Sequence, residues 1–159
     1  MVVNYVKTNP HKSQAKLESM NNIMAVCLTI FGIMWAFSPD RLNGPILLQF
    51  VLAIPLLYVS GLAYTKVAYR KEVKFWDNFG WFTSTVATAF VLNIVGILIF
   101  LLGRVQIALL YFAVTWLLLV LYTTINIYNH PRTIGIKLFK LFFFIILQLI
   151  FGIGVFYLF

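Results

Sequence analysis

An all-α fold, a polytopic transmembrane helix bundle of about five spans, is what this chain predicts, and three observations predict it. Of its 159 residues, 62% are hydrophobic and 10% charged, against roughly half and about a quarter in soluble domains. Five apolar runs, at about 22–37, 46–66, 79–102, 105–128 and 138–159, are each long enough or nearly so for a hydrocarbon layer about 30 Å thick. The basic residues fall between these runs or at their ends, never in their cores. The runs use most of the chain, so a polar, cytosolic segment 1–21 precedes a single membrane domain, 22–159. No soluble domain of ordinary size is left over.

Taking the runs in order, the first carries a helix start ahead of it. Asn9-Pro10 places proline at a first helical position, so the helix is expected to begin in the cytosol and continue into the membrane. Lys7, Lys12 and Lys16 before Ile23 to Phe37 resemble the front of a signal peptide, but Ser38-Pro39-Asp40-Arg41 follows where small cleavage-site residues would stand. A retained helix is the reading. In the second run Pro55 removes one backbone hydrogen bond and crowds the carbonyl of Val51, which predicts a kink. Such a kink either improves packing or exposes carbonyls to a ligand.

Aromatic residues at run ends set the register of the middle spans: Tyr64 and Tyr69 after the second, Trp76, Phe79 and Trp81 at the start of the third, and Tyr128 after the fourth. The fifth run is of another kind. Phe142-Phe143-Phe144, Phe151, Phe156 and Phe159 spread around it, so apart from Gln148 and Gly152 it is expected to meet lipid on every side.

Charge predicts the orientation. Three Lys precede the first run, and the following gaps hold Arg41; Lys66, Arg70, Lys71 and Lys74; Arg104; and Arg132, Lys137 and Lys140. Alternate gaps thus hold ten basic residues against two, which puts the amino terminus in the cytosol and the carboxyl terminus on the opposite side. The basic residues from Lys66 to Lys74, with Arg132, Lys137 and Lys140, form a collar that would attract anionic lipid headgroups at about 1 kcal/mol each. Topology alone would also place them there. The net charge of +8 does not imply nucleic acid, because these cations separate apolar runs instead of clustering on a polar fold.

The outward-running spans share a short pattern, Ile30-Phe31-Gly32-Ile33, Ile94-Val95-Gly96-Ile97 and Ile150-Phe151-Gly152-Ile153. A duplicated helical hairpin plus one helix would produce it, and so would the ordinary frequency of glycine in membrane helices. Membrane helices pack through small and polar residues that share a face. Thr85, Ala89, Asn93 and Gly96 form such a stripe in the third run, and Ala108, Tyr111, Thr115, Tyr122 and Asn126 form one in the fourth. A turn at Gly103-Arg104 would set Thr85 near Tyr122, Asn93 near Thr115 and Gly96 near Tyr111. In the first pair, Asn21, Ala25, Gly32 and Ala36 are expected to face Gln49, Ala53, Ser60 and Tyr64 around Leu42-Asn43, with Gly32 meeting Ala53 and Ala25 meeting Ser60. The glycine-bearing hairpins are loosely similar to those of small bacterial stress-response membrane proteins, a likeness of apolar residues and glycines that carries no function across.

No Asp, Glu, Lys, Arg or His lies within the core of any run, which argues against proton coupling and voltage sensing. Both histidines, His11 and His130, fall in cytosolic segments, so paired haem ligands are not expected. His11, His130, Glu18, Glu72 and Asp77 share the cytosolic side but lack a metal-ligand spacing. The single cysteine, Cys27, has no charged neighbour and reads as a packing residue. Thr83, Ser84, Thr85 and Thr88 have no intramembrane base, and no G-x-S-x-G or Walker loop occurs. The expectation is a non-catalytic protein without cofactor or metal that acts by helix packing, as a small subunit of a membrane complex or a homo-oligomer, with lipid and other subunits as partners. The alternative is a passive channel or uniporter-like conduit of several copies, lined by Ser84, Thr88, Asn93 and Gln148.

Overall fold

The structure, a computed structural model, describes residues 10–37, 39–42, 44–69, 73–129 and 131–158. The described residues hold five α-helices: α1 (Pro10–Phe37), α2 (Gly44–Tyr69), α3 (Val73–Leu101), α4 (Val105–Asn129) and α5 (Ile134–Phe151). Each, with the 3₁₀ extension that carries the last span to Tyr157, is long and apolar enough to cross a membrane.

Proline and glycine set the ends. Proline occupies the first turns of α1 and α2, where its missing N–H costs nothing. α1 stops at Phe37, ahead of Pro39, and a 3₁₀ turn, Pro39–Arg41, is closed by the Leu42 N–H on the Pro39 carbonyl at 2.9 Å. α3 ends with Gly103 at φ +75°, its N–H on the Phe100 carbonyl at 2.9 Å. That left-handed cap admits glycine at no steric cost. α4 gives way after Asn129 to a second 3₁₀ turn, Pro131–Thr133, which leads into α5. α2 runs through Pro55 as one helix, and Pro55 lies on an exposed face.

The chain packs as two compact units. The first comprises Met1–Leu42 and Phe50–Thr88, and the second Asn43–Gln49 and Ala89–Phe159. In the first unit α1 buries Ser13, Cys27 and Met34, spaced so that they fall on one side. α2 buries Phe50, Ala53, Leu57, Ser60, Ala63 and Tyr64. The rings of Phe31 and Phe50 meet edge to face at 5.2 Å. In the second unit the core is built on Ala89, Phe90, Asn93, Ile94 and Ile97 of α3, Ala108 and Phe112 of α4, and Phe144 and Gln148 of α5.

The fifth span departs from its expectation twice. It is not one helix to the end of the chain: the α-helix stops at Phe151, and a 3₁₀ segment, Ile153–Leu158, follows Gly152. Nor are Gln148 and Gly152 its only covered positions, since Phe144 and Val155 are buried with them. Those four lie at helical spacing and form a packed face, while Phe142, Ile146, Leu149 and Ile150 stay exposed. The spread of phenylalanines hid this face because apolar residues supply no contrast between a packed side and an open one.

Candidate functional site

The small-residue stripes are used unequally. Of the α2 stripe, Gln49, Ala53, Ser60 and Tyr64 are all buried. Of the α1 stripe, Asn21, Ala25, Gly32 and Ala36 are all exposed, and no described atom lies within 4 Å of a Cβ built on Gly32. The expected approach of Gly32 to Ala53 is therefore not made. α1 turns its larger Cys27 and Met34 inward, and Ser60 and Tyr64 of the α2 stripe reach α3. Ser60 donates to the Gly80 carbonyl at 2.9 Å, and the Tyr64 hydroxyl lies 3.3 Å from that of Ser84. Gly80 is required there, because a Cβ would stand 2.9 Å from the Tyr64 ring and 3.2 Å from Ala63.

Polar groups at the start of α1 close the first unit. Ser13 donates to the Tyr64 carbonyl, and Lys16 pairs with Asp77 while lying over the Tyr64 ring, 4.6 Å from its centroid. Both charged side chains are partly exposed, so water screens the pair. Glu18 accepts from Gln14 at 3.0 Å. His130 and Glu72 lie outside the described residues, as does the side chain of His11.

Along α3 and α4 the hydroxyls turn back on their own helices. Thr85 donates to the Trp81 carbonyl at 2.7 Å and Thr115 to the Tyr111 carbonyl at 2.8 Å. A threonine bonded to its own preceding turn has no remaining donor for another helix. Thr115 thus makes no bond to Asn93, and Tyr122 stands with its ring exposed. Ala89 is buried, and Gly96 meets Phe112 rather than Tyr111: a Cβ there would run into the ring. Tyr111 packs edge to face on that same ring at 5.6 Å. At Gly96 the neighbour is one position away from the expected one.

Three carboxamides gather in the second unit around the break after α5. Asn93 and Gln148 are 0% exposed and Gln49 is 2% exposed. Gln49 Nε2 donates to the Phe151 carbonyl at 2.9 Å, and Trp116 Nε1 donates to Gln148 Oε1 at 2.8 Å. Asn93 Oδ1 lies 2.7 Å from where a Cβ of Gly152 would stand. Both amide atoms of Asn93, Gln49 Oε1 and Gln148 Nε2 have no partner among the described residues. An unpaired buried polar atom costs about 1–3 kcal/mol, so four such atoms on three side chains are an expensive arrangement. Gln49 and Gln148 were visible as lone polar residues in apolar runs, but their convergence was not. The one signal was Trp116 at mid-helix, away from the ends where tryptophan usually anchors.

Of the basic collar, Lys66 and Lys74 are exposed, Lys140 is half-buried, and half-buried Lys137 donates to the Asn126 carbonyl. Arg70 and Lys71 lie outside the described residues, as does the side chain of Arg132. No protein-family model, no curated protein and no solved structure matches the chain.

Proposed function

We propose that this chain is a multi-pass integral membrane protein without catalytic activity that works by helix packing, as a small subunit of a membrane complex or as a homo-oligomer. The amino terminus is cytosolic and the carboxyl terminus lies on the opposite side, as the ten-to-two distribution of basic residues indicates. The recurring Ile-x-Gly-Ile pattern fits a duplicated hairpin plus one helix whose copies have diverged in packing. The collar cations contact lipid headgroups.

The observation that carries the packing reading is the exposed small-residue face of α1: Asn21, Ala25, Gly32 and Ala36, with Thr29 between them. In lipid, apolar side chains gain little from leaving one apolar solvent for another, and association depends on close backbone approach through small residues. This face permits such an approach. The Thr29 hydroxyl is already bonded to the Ala25 carbonyl at 2.8 Å, so it brings no unpaired donor to a second helix. α1 and α4 have only 17% and 11% of their most apolar windows buried, against 56% in α3, which leaves most of their surface for lipid or for other helices.

The test is purification of the wild type and Gly32→Ile from native membrane in mild detergent, with mass determination and mass spectrometry of what accompanies each. A stoichiometric partner or a homo-oligomer that dissociates in the variant supports the proposal. A wild-type chain that is monomeric and accompanied only by lipid refutes it.

A further inference from the structure

We infer that Gln49, Asn93 and Gln148 form a binding site for a neutral, water-sized molecule that both donates and accepts hydrogen bonds, with ordered water as the occupant. The inference goes beyond the packing reading and does not depend on any partner. All three residues belong to the second unit, and each is at least nine-tenths buried.

The site's polarity follows from partners whose character is fixed. An indole N–H only donates, so the Gln148 atom that accepts from Trp116 is the oxygen, and its unpaired atom is an NH₂ donor. A backbone carbonyl only accepts, so the Gln49 atom on the Phe151 carbonyl is nitrogen, and its unpaired atom is an acceptor oxygen. Asn93 brings one donor and one acceptor whichever way its amide is turned. The set is therefore balanced. A cation would meet two NH₂ groups and an anion two oxygens, whereas water matches donors and acceptors together.

Hydrogen-bonding capacity narrows the occupant further. At Gly152 a Cβ would lie 2.5 Å from the Gln148 carbonyl oxygen and 2.7 Å from Asn93 Oδ1, so that side is closed and an occupant stands beside the carboxamides, not over the glycine. The four unpaired atoms, two donors and two acceptors, match the two to four hydrogen bonds that one ordered water makes.

The test is nuclear magnetic resonance on the isotope-labelled full chain in detergent micelles, with the Asn93 and Gln148 side-chain amides assigned through their own backbones. Magnetisation transfer from water is expected at both NH₂ groups, unchanged when sodium is exchanged for potassium or rubidium and when urea is added. In Asn93→Leu, of similar size and apolar, the transfer to Gln148 is expected to be lost with the shared water. No transfer in the wild type overturns the inference. So does a shift at these amides on cation exchange, which would mark a cation site, or on urea addition, which would mark a larger solute. Persistence of the Gln148 signal in a folded Asn93→Leu chain overturns the shared site; should that variant not fold, the wild-type measurements decide.

Discussion

Replacing Gly152 by alanine is expected to destabilise this protein by an amount that the packing at the end of α5 sets. φ at Gly152 is −101°, so the backbone does not by itself demand glycine; the crowding does. The added methyl would meet three atoms at under 3.0 Å, and one of them, the Gln148 carbonyl oxygen at 2.5 Å, is backbone. That oxygen also accepts the Gly152 N–H at 2.9 Å, so it cannot retreat without loosening the last turn of the helix. The second atom belongs to Asn93 and the third to Phe112, both fully buried and unable to swing into open space. Overpacking of a filled core costs about 1–3 kcal/mol, and an obstruction that includes backbone belongs at the upper end. For a chain of this size 1 kcal/mol corresponds to roughly 2–4 °C in Tm, so a loss on the order of 6–12 °C is expected. The assay is thermal unfolding of the full chain in one detergent, followed by tryptophan fluorescence, with Trp116 reporting beside the site through its bond to Gln148. Gly135→Ala is the control. No described atom lies within 4 Å of its new methyl, and alanine is no worse a helix former than glycine, so its Tm should match or exceed the wild type. Equal Tm for Gly152→Ala and wild type, or an equal loss in Gly135→Ala, would refute the reasoning.

Gly96→Ala should also lower Tm, because its methyl would enter the Phe112 ring, and adding Phe112→Leu should recover part of the loss; additive effects in the double-mutant cycle would count against the contact. Ser60→Ala removes the buried bond to Gly80 and should cost about 0.6 kcal/mol, up to roughly 1.7, in reversible denaturation in mixed micelles. Thr85→Val and Thr115→Val should each change stability by less than about 0.5 kcal/mol, since their hydroxyls serve only their own helices, and a larger loss in the same assay would reveal an interhelical role. The coupling between Lys16 and Asp77, measured by a double-mutant cycle, should be at most about 1 kcal/mol and should shrink as salt is raised.

The chemistry of the carboxamide site was only partly legible beforehand. Asn93 and Gln148 stand out in the sequence because an amide in an apolar run must find a partner or stay costly. Which partner it finds depends on the rotation of three helices and on where α5 breaks. Gln49 was assigned to a face shared with α1, yet it reaches the end of α5. Likewise, the stripes of α1 and α2 match in spacing, but spacing does not reveal that α1 presents Cys27 and Met34 instead, leaving its small residues exposed.

Local physics therefore determined the five apolar helices and most of their ends: the run lengths, the prolines in the first turns and the glycine at φ +75° act within a few residues of themselves. The tertiary structure alone decided which face of each helix is packed, that Gly96 meets Phe112 and not its neighbour, and that Gly152 ends α5 against Asn93. The reason is contrast. Where a helix is apolar on every side, hydrophobicity cannot distinguish its faces, and the choice passes to steric fit and to a few amides whose partners lie up to 102 residues away.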